Sequence, residues 1–258
     1  MGGSVADRLS AGMTREAARA LLLEHNKDPF HIEHGETVEQ VMRYFAREFD
    51  PDNEEFWGIV GLLHDLDWEE HADDPMNHTV YAAADIEAAG GTPELIRAIQ
   101  THTSDFNQDL PRPELQMEKI LFACEELTGL IGAAVVMRPS KSVMDFNVKS
   151  LKKKFKDKRF AAGVNRDVIR SGAEMLGWEL DELIEHDLHN VLRRGERIHD
   201  LGREAALLGL GNEVLDDLEV DVGLEERHAD VAHRARDVGL GELALAAQAI
   251  KGIVEAIG

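Results

Sequence analysis

Residues 56–69 read Phe56-Trp57-Gly58-Ile59-Val60-Gly61-Leu62-Leu63-His64-Asp65-Leu66-Asp67-Trp68-Glu69. Phe56, Ile59, Val60, Leu62 and Leu63 recur at the spacing of a helix buried against other helices, and the preceding Asp52-Asn53-Glu54-Glu55 has the pattern of a capping box. The helix therefore delivers His64 and Asp65 at its C-terminal end. Neighbouring side chains on a helix diverge by about 100°. They meet on one ion only where the helix end borders a cleft and other helices supply the remaining ligands.

Outward from this stretch, one 3.6-period segment follows another from Arg15 to about His199, and alternating β-branched runs bounded by turn pairs are missing. The chain reads as all-α. The expected helices run over Arg15 to His25, His31 to Phe49, Asn77 to Ala89 up to the Gly90-Gly91 break, then from the Thr92-Pro93 start to near His102. Glu118 to Met137 is long and apolar, Ser142 to Arg159 amphipathic and basic, Asn165 caps a helix through Leu176, and Leu180 to about His199 closes the set. Residues 1–14 read as a mobile start and 15–202 as the main domain. Residues 203–258, acidic, rich in Gly, Ala and Leu and free of aromatics, read as an extension of short helices or partial disorder, with His228 and His233 as solvated residues.

With 258 residues and 43% hydrophobic composition the chain has material for a sizeable core. The single cysteine, Cys124, excludes an internal disulfide and fits a reducing compartment. No apolar run of membrane-spanning length occurs, and Met1 to Ala6 has neither the layout of a signal peptide nor the myristoylation pattern, so the expectation is a soluble, cytoplasmic protein. A formal net charge of -22 argues against nucleic acid or an anionic membrane as a partner. An anionic substrate must then be drawn in locally, by bound cations or a basic cluster. So acidic a composition also resembles that of salt-adapted proteins.

Histidine and carboxylate donors suit Mn, Fe, Co, Ni or Zn, and a carboxylate beside a histidine can bridge two ions. In that arrangement His34, His64, Asp65 and Glu125 hold one metal and Asp65, His78 and His102 a second, each ligand but the central pair on its own helix. Any one of these histidines alone is more commonly a core or surface residue satisfied by one hydrogen bond. Their order along the chain is what separates them from that alternative.

His34-x-x-x-Val38-Glu39, then Gly61-Leu62-Leu63-His64-Asp65-Leu66-Asp67, then His78, then Ile96-Arg97-Ala98-Ile99-Gln100-Thr101-His102, then Glu125-Glu126-Leu127-Thr128-Gly129 resembles the HD-domain superfamily of metal-dependent phosphohydrolases. Arg138-Pro139-Ser140, the lysine run Val148 to Lys158 and Phe160 to Arg166 look more narrowly like a prokaryotic HDIG-type family of largely unassigned substrate. The similarity covers about Arg15 to His199. It implies a helical HD bundle and carries ligand roles to His34, His64 and Asp65, while His78 and His102 fall where dinuclear members place ligands. The chain departs at the last ligand, where the family usually has Asp and this sequence has Glu125, one methylene longer. Glu126 takes the place of the family's following Glu, a supporting or structural residue.

Beside the ligands, Asp65 is the central catalytic candidate, and Asp67 and Glu69 are candidates to orient the attacking water or a ligating histidine. Their alternative role is capping or solvation. His31 and His71 read as surface residues. Arg138, Lys149, Lys152, Lys153 and Arg166 form a candidate phosphate funnel on an otherwise repulsive surface; a contact between two copies, or with nucleic acid, is the competing use of these cations. The expected activity is hydrolysis of a phosphomonoester or phosphodiester, of a nucleotide or small phosphorylated metabolite, by water activated on one or two divalent ions (Mn, Fe, Co, Ni, Zn or Mg). The same ligands also suit a dinuclear-iron oxygenase of the HD type or a metal-stabilised nucleotide-binding module without turnover.

Overall fold

The computed structural model describes residues 8–207, with side chains described through Gly195. The readings made for residues 208–258, including His228 and His233, lie outside these residues. The chain divides into two compact units, Met1–Glu196 and Arg197–Gly258; the first carries every candidate site residue.

Every regular element among the described residues is helical: α1 (Arg15–His25), α2 (Pro29–Phe49), α3 (Glu54–Leu63), α4 (Trp68–His71), α5 (Val80–Ala88), α6 (Pro93–Thr101), α7 (Gln116–Val136), α8 (Val148–Lys156), α9 (Arg166–Leu176) and α10 (Leu180–Leu207). None is long and apolar enough to cross a membrane. The starts follow local chemistry. Thr14 accepts from the Ala17 N–H, Asp28 from Phe30 ahead of Pro29, Thr92 from Leu95 ahead of Pro93, and Asn165 from Asp167 and Val168.

α3 is the hub. All of its residues from Phe56 to Leu63 are buried, and it packs on α2, α1 and α6. α2 packs in turn on α7, which carries α9 and α8 on its other sides. The α2–α3 crossing is close because Gly61 has no side chain: a Cβ there would lie 2.8 Å from the Val38 carbonyl oxygen and 2.9 Å from Met42 Cγ. His34 lies one helical turn before Val38 and His64 nearly one turn after Gly61, so this close approach brings the two histidines together. Their ring centroids are 5.1 Å apart.

Behind the crossing, the buried Glu39 accepts from Arg15 Nε at 2.7 Å and Arg43 Nε at 3.0 Å, locking α1 to α2.

Three local expectations are corrected. Asn53 does not cap α3 through its side chain; its Oδ1 takes the Leu9 N–H at 2.7 Å and its Nδ2 donates to Asp50. That bond joins the segment at Leu9 to the turn before α3, and Ala11 is buried with its carbonyl accepting from Thr92 N at 3.2 Å. The helix expected from Asn77 starts at Val80, after a single 3-10 turn at Pro75–Asn77 and a left-handed Thr79 with φ 69°. The basic helix expected over Ser142 to Arg159 is regular only as α8.

Candidate metal centre

Five elements supply the cluster. His34 comes from the first half of α2, His64 and Asp65 from the end of α3, His78 from the turn before α5, His102 from the end of α6 and Glu125 from the middle of α7. One donor atom from each of His34, His64, Asp65 and Glu125 lies within 4.8 Å of all the others, and the same is true of Asp65, His78 and His102.

Asp65 divides the cluster. Its Oδ2 lies 3.2 Å from His64 Nε2 and 3.6 Å from His34 Nε2; its Oδ1 lies 3.0 Å from His78 Nε2 and 3.6 Å from His102 Nε2. Glu125 Oε1 is 3.7 Å from His34 Nε2. Separations of 3.6 and 3.7 Å are too long for hydrogen bonds. They do match the edge between two donors that sit about 2.0–2.2 Å from a common ion, which is roughly 3–3.6 Å.

The hydrogen-bond inventory makes the same point. His64 Nδ1–H donates to the Gly61 carbonyl at 2.7 Å and His102 Nδ1–H to the Ile99 carbonyl at 2.6 Å, so each ring turns Nε2 inward. His64 Nε2 is fully buried without a hydrogen-bond partner, a condition shared among the described residues only by Ser104 Oγ. A buried, unpartnered ring nitrogen facing a carboxylate cluster is costly unless an electrophile takes its lone pair.

His78 is held by a different device. Asp67, 1% exposed, accepts from His78 Nδ1 at 2.6 Å, from Thr79 N at 2.8 Å and from Ala82 N at 3.0 Å. Those bonds sustain the left-handed Thr79, whose hydroxyl also meets that of Thr103 at 2.9 Å. Asp67 thus joins the start of α5 to the end of α3 and aims His78 Nε2 at Asp65.

Electrostatics favour a cation here. Burial opposes charging His64, yet the carboxylates of Asp65 and Glu125 outweigh it and raise its pKa. For His78 burial is likewise overcome, by Asp65 and Asp67, and its pKa rises to about 10. Burial works against the Asp65 carboxylate, but His64, His102 and His78 hold its pKa well below the ordinary value. Glu126 is pushed up to about 8 by burial and by the adjacent Glu125, and its Oε2 accepts from Asn165 N at 3.0 Å. At His64 and His78 the surrounding carboxylates therefore favour a positive charge, which a proton or a metal ion can supply.

The cluster is closed on one side. Side-chain exposure is 0%, 5% and 3% for His64, His78 and His102, against 24% for Asp65, 19% for Glu125 and 11% for His34. The donors open to solvent are Asp65, Glu125 on α7 and, less so, His34 on α2.

Other expected site residues stand elsewhere. Glu69 takes the backbone N–H groups of Lys27 and Asp28 and faces His31 Nδ1 at 3.1 Å, so it ties α4 to the start of α2 and does not orient a cluster histidine. His71 stacks on Tyr81 at 3.9 Å. Arg166 is spent on the carbonyls of Phe155, Asp157, Phe160, Ala161 and Val164, wrapping the loop between α8 and α9. Arg138 is paired with Asp145 and Lys152 with Asp181 and Glu185. Lys149 and Lys153 make no ion pair among the described residues. Sequence reasoning did not single out the Gly61 and Ile99 carbonyls or Thr79, because a backbone acceptor leaves no mark in residue identity.

Neither the family models, the curated proteins nor the solved structures yield a match to this chain. What the residues could do is therefore argued from the geometry itself: two groups of donors, joined by one carboxylate, that could hold metal ions.

Proposed function

We propose that the chain is a metal-dependent phosphohydrolase of the HD type, acting on a phosphomonoester or phosphodiester of a nucleotide or small metabolite. The observation that carries this reading is the division of Asp65, with Oδ2 toward His34 and His64 and Oδ1 toward His78 and His102. The order of the motifs, which resembles that of the HD superfamily, supports it. Glu125, longer than the usual Asp, has its Oε1 among the donors of the first group.

Divalent ions bound here would supply Lewis-acid neutralisation of phosphoryl oxygens and a lowered pKa for water. The protein's part is orientation. The Gly61 and Ile99 carbonyls fix the ring faces of His64 and His102, and Asp67 fixes His78. A thiol nucleophile is not on offer: Cys124, the only cysteine, is buried, and burial together with Asp187 drives its pKa well up. Attack by water is the chemistry these residues suit.

The test is metal content of the purified protein together with a phosphatase and phosphodiesterase panel run with Mn, Co, Ni, Mg and Fe. Turnover that requires metal and disappears in Asp65→Ala is expected. Turnover retained in that variant sinks the proposal, and tightly bound iron with a mixed-valence signal and oxygen consumption would replace it with an oxygenase.

A further inference from the structure

Eleven of the 28 Lys and Arg residues fall within residues 138–170, against three Asp and no Glu, in a chain that is otherwise strongly acidic. α8 lies at the middle of this segment. It buries Leu151 and Phe155 and leaves Lys149, Lys153 and Lys156 at i, i+4 and i+7 on its outer side. None of those three makes an ion pair among the described residues. Like charges at this spacing repel by a few tenths of a kcal/mol per pair, so solubility alone is a poor account of them in a protein with 50 acidic residues to pair with.

Beside this row opens a hollow of about 300 Å³. Ala134, Met137 and Phe146 give it an apolar floor, and Ser150, Lys153 and Lys154 stand along its wall. Arg138 and Asp157 also line it. Arg138 is neutralised by Asp145 at 2.6 Å, and the Asp157 carboxylate accepts the Arg159 N–H at 3.1 Å. Lys154 lies over the Phe160 ring at 4.0 Å, which leaves Lys153 as the lining cation without a partner among the described residues, with Lys149 one turn before it on α8.

This hollow is not the phosphate end of the metal centre. Ala134 follows Glu125 on α7 by 9 residues, roughly 14 Å at the helical rise, and Met137 and Arg138 lie beyond the end of that helix. A phosphate held by Lys153 therefore cannot be the one facing Asp65. Nor does the segment suit single-stranded nucleic acid, which stacks its bases on exposed rings: Phe146 and Phe155 are 5% and 3% exposed, and Phe160 carries Lys154 on its face.

We propose that the hollow between α7 and α8 is a second site, separate from the metal centre, that binds a phosphate-bearing amphiphile. Lys149 and Lys153 hold the phosphate groups, and the less polar part rests on Met137. Met137, 73% exposed, is the most exposed large apolar side chain among the described residues, and a ligand seated here would cover it. The chemistry is shared by a soluble polyphosphate ester and a phospholipid headgroup, and it goes beyond the phosphohydrolase reading without resting on it.

The experiment uses the full chain in EDTA, so that no metal at the His34–Glu125 cluster grips phosphate. Inorganic tripolyphosphate is titrated by calorimetry, and vesicles of phosphatidylglycerol in phosphatidylcholine are tested by co-sedimentation. Binding of either is expected, weakened about tenfold or more in Lys149→Glu/Lys153→Glu, since the variant puts two repelling charges where two attracting ones stood. Binding of tripolyphosphate identifies a soluble ligand; binding of the vesicles alone identifies a lipid headgroup. Unfolding temperature and metal uptake serve as checks that the variant is intact, and the single Lys153→Gln variant, with its smaller loss, replaces it if it is not. No binding of either probe, or undiminished binding by the folded variants, overturns the proposal. A loss seen in Asp65→Ala but not in the lysine variants overturns it as well, by placing the phosphate at the metal centre.

Discussion

Single residues in this chain are asked to do different things by the same physics of burial. Asp67 is a buried carboxylate with three hydrogen bonds, and burial is outweighed by His78 and the Ala82 and Thr79 N–H groups, so its pKa stays below the ordinary value. Asp67→Ala removes the acceptor that aims His78 and sustains the Thr79 turn. Metal affinity measured by calorimetry should fall about 10- to 100-fold. Asp187 is the opposite case. It is wholly buried against Thr128 Oγ1 at 3.3 Å, and burial drives its pKa well above the ordinary value despite that bond. The folded chain thus holds a proton that the unfolded chain gives up. The associated stability is full below the unfolded carboxylate pKa, at about pH 4, and is lost as pH rises toward the raised folded value. Asp187→Asn should match the parent in urea unfolding at pH 3 and exceed it by about 1 kcal/mol or more at pH 7; equal stability at both pH values would rule this account out.

Among the elements, α2 and α3 set the site, and Gly61 sets how close they come. Gly61→Ala would drive a methyl into the Val38 carbonyl and Met42, so the helices must part or the chain lose stability, by about 1–3 kcal/mol. Chemical denaturation reads the cost, and metal affinity should fall with it, because the His34–His64 separation depends on the same crossing. Elements announced by local chemistry were legible in the sequence: Thr92-Pro93 and Asn165 start α6 and α9 at the expected residues, and the apolar period of residues 56–63 marks α3. That His64 and His102 close α3 and α6 was legible for a related reason, since the pattern locates both helix ends. Thr79 was not, because its left-handed backbone is imposed by Asp67, distant in sequence, and Thr has no intrinsic preference for it. The place of Glu69 was not legible, because a carboxylate six residues past the end of α3, in the short α4, can turn either toward the cluster or toward another helix start, and only packing decides.

At the scale of the molecule, the histidine and carboxylate cluster is a junction. Its donors come from α2, the end of α3, the turn before α5, the end of α6 and α7, so ions placed there would cross-link most of the helices around α3. The chain as a whole stands at -22, so its folded state carries strong self-repulsion. Metal that binds the folded state and not the unfolded chain stabilises by mass action, by about 2.7 kcal/mol at a hundredfold excess over Kd. For a domain of this size each kcal/mol is worth about 2–4 °C. The unfolding temperature should therefore rise by roughly 5–10 °C when Mn is added to chelator-treated protein. Raising monovalent salt should stabilise the metal-free form by screening and shrink that difference. His78→Ala should keep part of the metal-induced rise, since the first donor group is intact, while Asp65→Ala should lose nearly all of it. Equal rises in the parent and in Asp65→Ala would mean that metal acts on the acidic surface at large rather than at this junction.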